Sequence, residues 1–198
     1  MLLRVLFILL FSVSICFPDA AMMGEESVHE VSGGETITYG YDAGTSNSTG
    51  TNGVLYIPYE STGVPLTFSG SGTCDTIKVY NDSTVGGYVR IWKGTISGTT
   101  FSFDSYTEVV DYGPTQNPDD LGYITLSAPT DFTAFAVTSS TVLAIYCYNN
   151  TNGIAVGRVT GVSNQIYAWH ADDPPYSGDL TSLTESTSSR IILYGEGF

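Results

Sequence analysis

The chain has 198 residues, 20 of them acidic and 6 basic, and carries a net charge of −14 at pH 7. A surface of that sign repels phosphate groups, which excludes nucleic acid and anionic membrane surfaces as partners. Only 13% of the residues are charged, while Gly, Ser, Thr and Asn abound. The polar surface is therefore expected to consist mainly of hydroxyls and amides, which suit sugars, cations and other protein walls.

The first predicted element is a signal segment. Arg4 precedes the unbroken apolar run Val5 to Phe11, and Pro18 and Asp19 close it. The run is shorter than the roughly 20 apolar residues of a membrane-spanning helix. Residues 1–21 thus read as a secretory signal peptide with cleavage near Ala20 and Ala21, the alternative being an uncleaved anchor. A flexible segment over 22–34 and one β-sandwich domain over 35–198 are expected to follow, at a secreted or cell-envelope location. Of the three cysteines, Cys16 falls in the signal segment. Cys74 and Cys147 remain. In an oxidising compartment they are expected to form a disulfide within the chain or, as the alternative, to bridge copies.

Beyond residue 34 no stretch has helical period. Short β-branched and aromatic runs alternate with Gly, Asn, Asp, Ser and Pro about every ten residues, which predicts an all-β fold. Strands are expected at 35–41, 54–59 and 64–69, with Pro58 and Pro65 placing the last two at a sheet edge or interrupting them. A hairpin is expected to pair 75–80 with 87–92. In it Ile77 and Val79 share one face, Val89 and Ile91 another, and Tyr88, Arg90 and Trp92 the wet side. Further strands are expected at 100–103, 107–112, 123–126, 132–138, 141–148, 154–159, 165–170 and 190–194. The run 141–148 is apolar on both faces, which predicts a central strand. The whole reads as an antiparallel β-sandwich of jelly-roll or Greek-key type.

Few residues suggest chemistry. The two histidines, His29 and His170, have no nucleophile motif near them, so no catalytic residue is nominated and the chain is not expected to be an enzyme. Asp119 with Asp120, and Asp172 with Asp173, place paired carboxylates in Pro-bearing turns, where Ca²⁺ finds hard oxygen ligands; solvated acidic turns are the alternative. Tyr167 and Trp169, and Tyr88 with Trp92, stand on single strand faces and could stack on sugar rings, or else fill the core. Asn47, Asn81 and Asn149 open glycosylation sequons in predicted turns.

With its short signal segment, its acidic Thr-, Ser-, Gly- and Tyr-rich β domain and sequons such as Asn47-Ser48-Thr49, the chain resembles archaeal surface-layer and sheath proteins. The resemblance is one of composition and carries no motif. It implies a structural role in a cell envelope, with the chain itself or other envelope proteins as partners. Cys74 to Tyr80 is also similar to a strand of CUB-type sandwiches, whose four-cysteine framework this chain lacks. The expected function is a secreted or cell-surface structural or adhesive protein, with a carbohydrate-binding module as the alternative and a secreted hydrolase as the second.

Overall fold

A computed structural model describes residues 35–41, 46, 48–50, 53–61, 64–81, 88–113, 122–147, 156–161, 165–170, 178–186 and 189–198. All of them lie in one compact unit, Glu35–Phe198. The described residues form antiparallel sheets packed as a sandwich, as the strand rhythm predicts.

One sheet is built from β1 (Ile37–Gly40), β5 (Gly72–Asn81), β9 (Gly122–Ser127), β10 (Phe135–Val137) and β16 (Leu193–Gly197). Its order is β1-β16-β5-β10, with β9 pairing the far end of β5. The second sheet contains β3 (Val54–Ser61), β4 (Val64–Pro65), β6 (Val89–Ser97), β7 (Thr100–Phe103), β8 (Val110–Tyr112), β11 (Val142–Cys147), β13 (Gln165–His170) and β14 (Thr184–Ser186). It runs β14-β13-β3-β11-β6-β7, with β4 on β3 and β8 on β6. A third, small sheet joins β2 (Ser48–Thr49), β12 (Gly157–Thr160) and β15 (Ser189–Ile191).

Alternation along the strands divides the interior into two cores. Ile77, Val79, Val89, Ile91, Leu143 and Ile145 are among the residues that fill the space between the two large sheets. The other face of the eight-stranded sheet is buried too. There Leu55, Ile57, Trp92, Val142, Ala144 and Tyr146 cluster with Leu180 and Leu183. The predicted central strand is borne out: β11 lies between β3 and β6, with Val142 to Tyr146 buried on both faces.

The predicted hairpin is not formed. β5 and β6 belong to different sheets, β5 pairing with β16, β9 and β10, and β6 with β7, β8 and β11. The faces were legible, since Ile77 and Val79 do meet Val89 and Ile91, but they meet across the sandwich rather than along a ladder. The actual hairpin is β6–β7, where Ser97 pairs with Thr100 around Gly98 at φ +57°. A two-residue loop of that kind needs a positive φ, which glycine adopts without strain.

Pro58 lies in an interior strand, and its effect is local. The β3–β11 ladder pairs Tyr56 with Ile145 and stops there. Extended by two residues it would set Pro58 opposite Leu143, where proline offers no N–H. The Tyr39 hydroxyl takes that place: it donates to the Leu143 carbonyl at 3.1 Å and accepts from the Leu143 amide at 3.1 Å. Tyr39 belongs to the facing sheet, so the repair also joins the two sheets. Its ring stacks on Phe68 with centroids 5.0 Å apart.

The expected disulfide is absent: Cys74 is a buried free thiol whose Sγ donates to the Thr76 carbonyl at 3.6 Å. The backbone explains this. Gly72, two residues before Cys74, pairs with Val137, and the tight turn from Thr138 to Thr141 leads from there into β11. Cys147 ends β11 opposite Val54. It stands at the far end of β11 from the turn that joins it to β10, whereas Cys74 is paired with Phe135 of β10 on the facing sheet.

Two predictions follow from these buried groups. Tyr39→Phe removes the hydroxyl and leaves the Leu143 amide and carbonyl unpaired, so equilibrium unfolding in urea should show a loss of about 1–3 kcal/mol for each group. Burial also pushes the Cys74 thiol from 9.0 up to about 12, and the Tyr39 phenol is pushed up by burial as well. A folded state that holds its protons more tightly than the unfolded chain loses stability as pH rises through that window. Stability should therefore fall from about pH 9 upward, by at most about 1.4 kcal/mol per pH unit for the thiol. Cys74→Val should remove the part of that slope that starts at pH 9 and leave the part above pH 10, and native Cys74 should alkylate only as fast as the protein unfolds.

Candidate binding surfaces

The outer face of the five-stranded sheet follows from its register. Thr38, Glu196, Thr76 and Ser127 stand in one cross-strand row. Gly40, Tyr194, Lys78 and Thr125 form the next, and Tyr80 pairs with Tyr123 in a third. Their neighbours Ile77 and Val79 point inward and are fully buried. The strands lie about 4.8 Å apart, so these rows make a broad wall of hydroxyls and phenols. Tyr80 and Tyr123 meet edge to face at 5.3 Å, and the Lys78 ammonium sits 5.3 Å above the Tyr194 ring.

The cations are spent inside the domain. Arg190 lies over Tyr41 at 5.2 Å, and Arg90 over Tyr88 at 5.5 Å with Asp111 at 3.9 Å. Arg158 donates to the Ser48 hydroxyl at 3.2 Å, and Lys93 bonds Asp104. With Lys78, these are all the basic residues beyond Arg4. A neighbour approaching this surface meets hydroxyls, rings, the Glu196 carboxylate and the Lys78 ammonium over its ring.

Sheet edges, expected to lie open because Lys is scarce, are covered at several points. Both backbone groups of Phe101 in β7 bond Leu180, at 2.8 and 2.9 Å. At the β1 edge, Ser69 gives its amide to the Thr38 carbonyl and its hydroxyl accepts from the Thr38 amide, each at 2.9 Å.

A second feature is a cleft of about 350 Å³ on the flank of the sandwich, between β6–β7 and the β10–β11 turn. Lys93 organises it. Its Nζ donates to the Ala136 carbonyl of the facing sheet at 3.1 Å and lies 2.6 Å from Asp104 Oδ2. The Asp104 amide closes the arrangement by bonding the Lys93 carbonyl at 3.0 Å. Thr95, Ser102 and Thr138 supply hydroxyls, while the half-buried Phe103 ring turns to the other face of the sheet and packs against the second core. Gly94 allows β7 to come this close, since a Cβ there would lie 2.2 Å from the Ser102 carbonyl oxygen.

The residues nominated from sequence fare unevenly. Trp92 is 0% exposed in the second core, so it cannot stack on a sugar from solvent. The face read as wet is covered by Leu180 and Leu183. Tyr88 is half-buried against Arg90 and is not part of a platform with Trp92. Asn81 is 3% exposed, between Gly122 of β9 and a bridge to Val156, so it is no surface turn and a glycan there would have to displace that packing. Tyr167 and Trp169 lie in β13 opposite Ile57 and Leu55, with side chains outside the described residues. Asn47, Asn149, Asp119, Asp120, Asp172 and Asp173 also lie outside them. Among the described residues, no three His, Cys, Asp or Glu side chains gather to hold a metal. Sequence reading missed the cleft, whose groups come together only through the crossing from β10 to β11. No family model, curated protein or solved structure matches this chain.

Proposed function

We propose that the protein is a non-catalytic structural or adhesive sandwich of the cell exterior that works by presenting the outer face of its five-stranded sheet to copies of itself or to other envelope proteins. The observation that carries this reading is the wall of Thr38, Thr76, Ser127, Thr125, Tyr194, Tyr80 and Tyr123, set in register over four strands. Phenol rings and hydroxyls together give large contact area at low desolvation penalty, as interfaces between proteins use them. Among the described residues, the two groups whose proton affinity burial displaces, Tyr39 and Cys74, belong to the core and bond backbone atoms, which agrees with a scaffold rather than a reaction centre.

Edge capping by Leu180 and Ser69 argues that contact runs through side chains on the face, not through added strands. The opposing force is the charge of −14. Because the domain's cations are already engaged, carboxylates on adjoining copies must be screened or bridged from outside. Screening at about 0.15 M salt shortens the repulsion to roughly 8 Å, and divalent cations can link carboxylates directly.

Sedimentation of the protein over NaCl and CaCl₂ series tests this. Association should rise with ionic strength and rise further with Ca²⁺, and Tyr123→Asp, which places a charge in the wall, should abolish it while the thermal midpoint is retained. A monomer under every condition at high concentration would refute self-assembly. A second reading, carbohydrate binding, is favoured by the flank cleft.

A further inference from the structure

We infer that the flank cleft is a saccharide-binding site that reads a vicinal diol through Lys93 and Asp104, with the Thr95, Ser102 and Thr138 hydroxyls around it. The inference does not rest on the wall reading, because the cleft lies at the flank between the two large sheets.

The chemistry follows from what the ion pair leaves over. An ammonium has three donors, and Lys93 directs two of them at Asp104 Oδ2 and the Ala136 carbonyl. The third has no partner among the described residues. Asp104 holds Lys93 with one oxygen, and its Oδ1 likewise has no partner among them. A charged donor and a charged acceptor thus stand side by side, locked by the Asp104 amide and by the bond to the facing sheet. Two adjacent hydroxyls match that pair, one donating to the carboxylate and the other accepting from the ammonium, and hydrogen bonds to charged groups are the stronger kind.

The remaining lining agrees with a sugar. Thr95 and Ser102 pair across β6 and β7 and so share a face. The volume of about 350 Å³ falls within the range of small-ligand pockets. Other ligand classes fit worse. An anion would face Asp104 and the overall charge of −14, and a metal ion would find one carboxylate already paired to an ammonium at 2.6 Å.

The test is a titration of the folded protein, followed by amide chemical shifts, with the methyl glycosides of glucose, mannose, galactose and xylose and with the matching 3-deoxy glycosides. At least one glycoside should shift the amides of Lys93, Asp104 and Ala136 saturably, and removing one hydroxyl of its diol should weaken binding tenfold or more. Asp104→Asn, which keeps the shape and loses the charge, should weaken binding to a similar extent and leave the sedimentation behaviour of the protein unchanged. Should that variant fail to fold, Ser102→Ala at the rim serves instead, with a smaller loss expected. The inference is overturned if no glycoside moves these amides up to its solubility, or if the deoxy glycosides or the variant bind as tightly as their parents.

Discussion

A proline in an interior strand has no N–H to give its partner strand, and here the Pro58 carbonyl accepts instead from the Leu66 amide at 3.4 Å, so the partner strand's polar groups at that point are answered from the facing sheet. Leu143 would face Pro58 if the β3–β11 ladder continued, and both of its polar groups are instead taken by the Tyr39 hydroxyl. Buried backbone groups left unpaired are rare because each costs about 1–3 kcal/mol. A residue 104 positions away in sequence is therefore fixed to one place on the facing sheet. The Phe68 ring stacked on Tyr39 and the apolar side chains around it then pack against a phenol whose position is set by hydrogen bonds rather than by shape alone.

The same reliance on tyrosine organises the surface. Three of the domain's five cations lie over tyrosine rings, those of Tyr41, Tyr88 and Tyr194. Such contacts are worth about 0.5–1 kcal/mol each at exposed sites, so they are weak locally. Their larger effect is on the field: the positive groups sit against neutral aromatic faces, and most carboxylates keep their charge uncompensated. Arg90 has Asp111 at 3.9 Å as well as its ring, and Lys93 pairs with a carboxylate at 2.6 Å while its second bond crosses to the other sheet. In the flank cleft both signs of charge thus meet in a concave setting.

Much of the strand layout could be read from the chain because alternation reports faces directly. Thr100–Phe103 and Gln165–His170 appear as strands at the expected bounds, and Val142–Cys147 is central because both of its faces are apolar. What alternation does not report is the partner. Asp75–Tyr80 and Gly87–Trp92 both show period two, yet they lie in different sheets, and nothing local in either run distinguishes a hairpin from two strands facing each other. Trp92 was misplaced for the same reason: its cover, Leu180 and Leu183, comes from a segment about 90 residues later in the chain. The wall was half legible, since Lys78 and Tyr80 must oppose Ile77 and Val79. The cleft was not, because Lys93, Asp104 and Ala136 converge only once β10 crosses to β11.

The placement of the cations also bears on how the protein meets proteases that cleave after basic residues. Lys78, Arg90, Lys93, Arg158 and Arg190 each lie within a β-strand, in β5, β6, β6, β12 and β15. Their side chains are held on rings, a hydroxyl or a carboxylate. A protease that cleaves after basic residues must draw an extended segment of chain into its own active site, and here every such segment of the domain is already hydrogen-bonded into a sheet. Cleavage then has to wait for the sheets to open, so the lifetime of the protein against such enzymes becomes a measure of its unfolding rather than of how much of its surface they can reach.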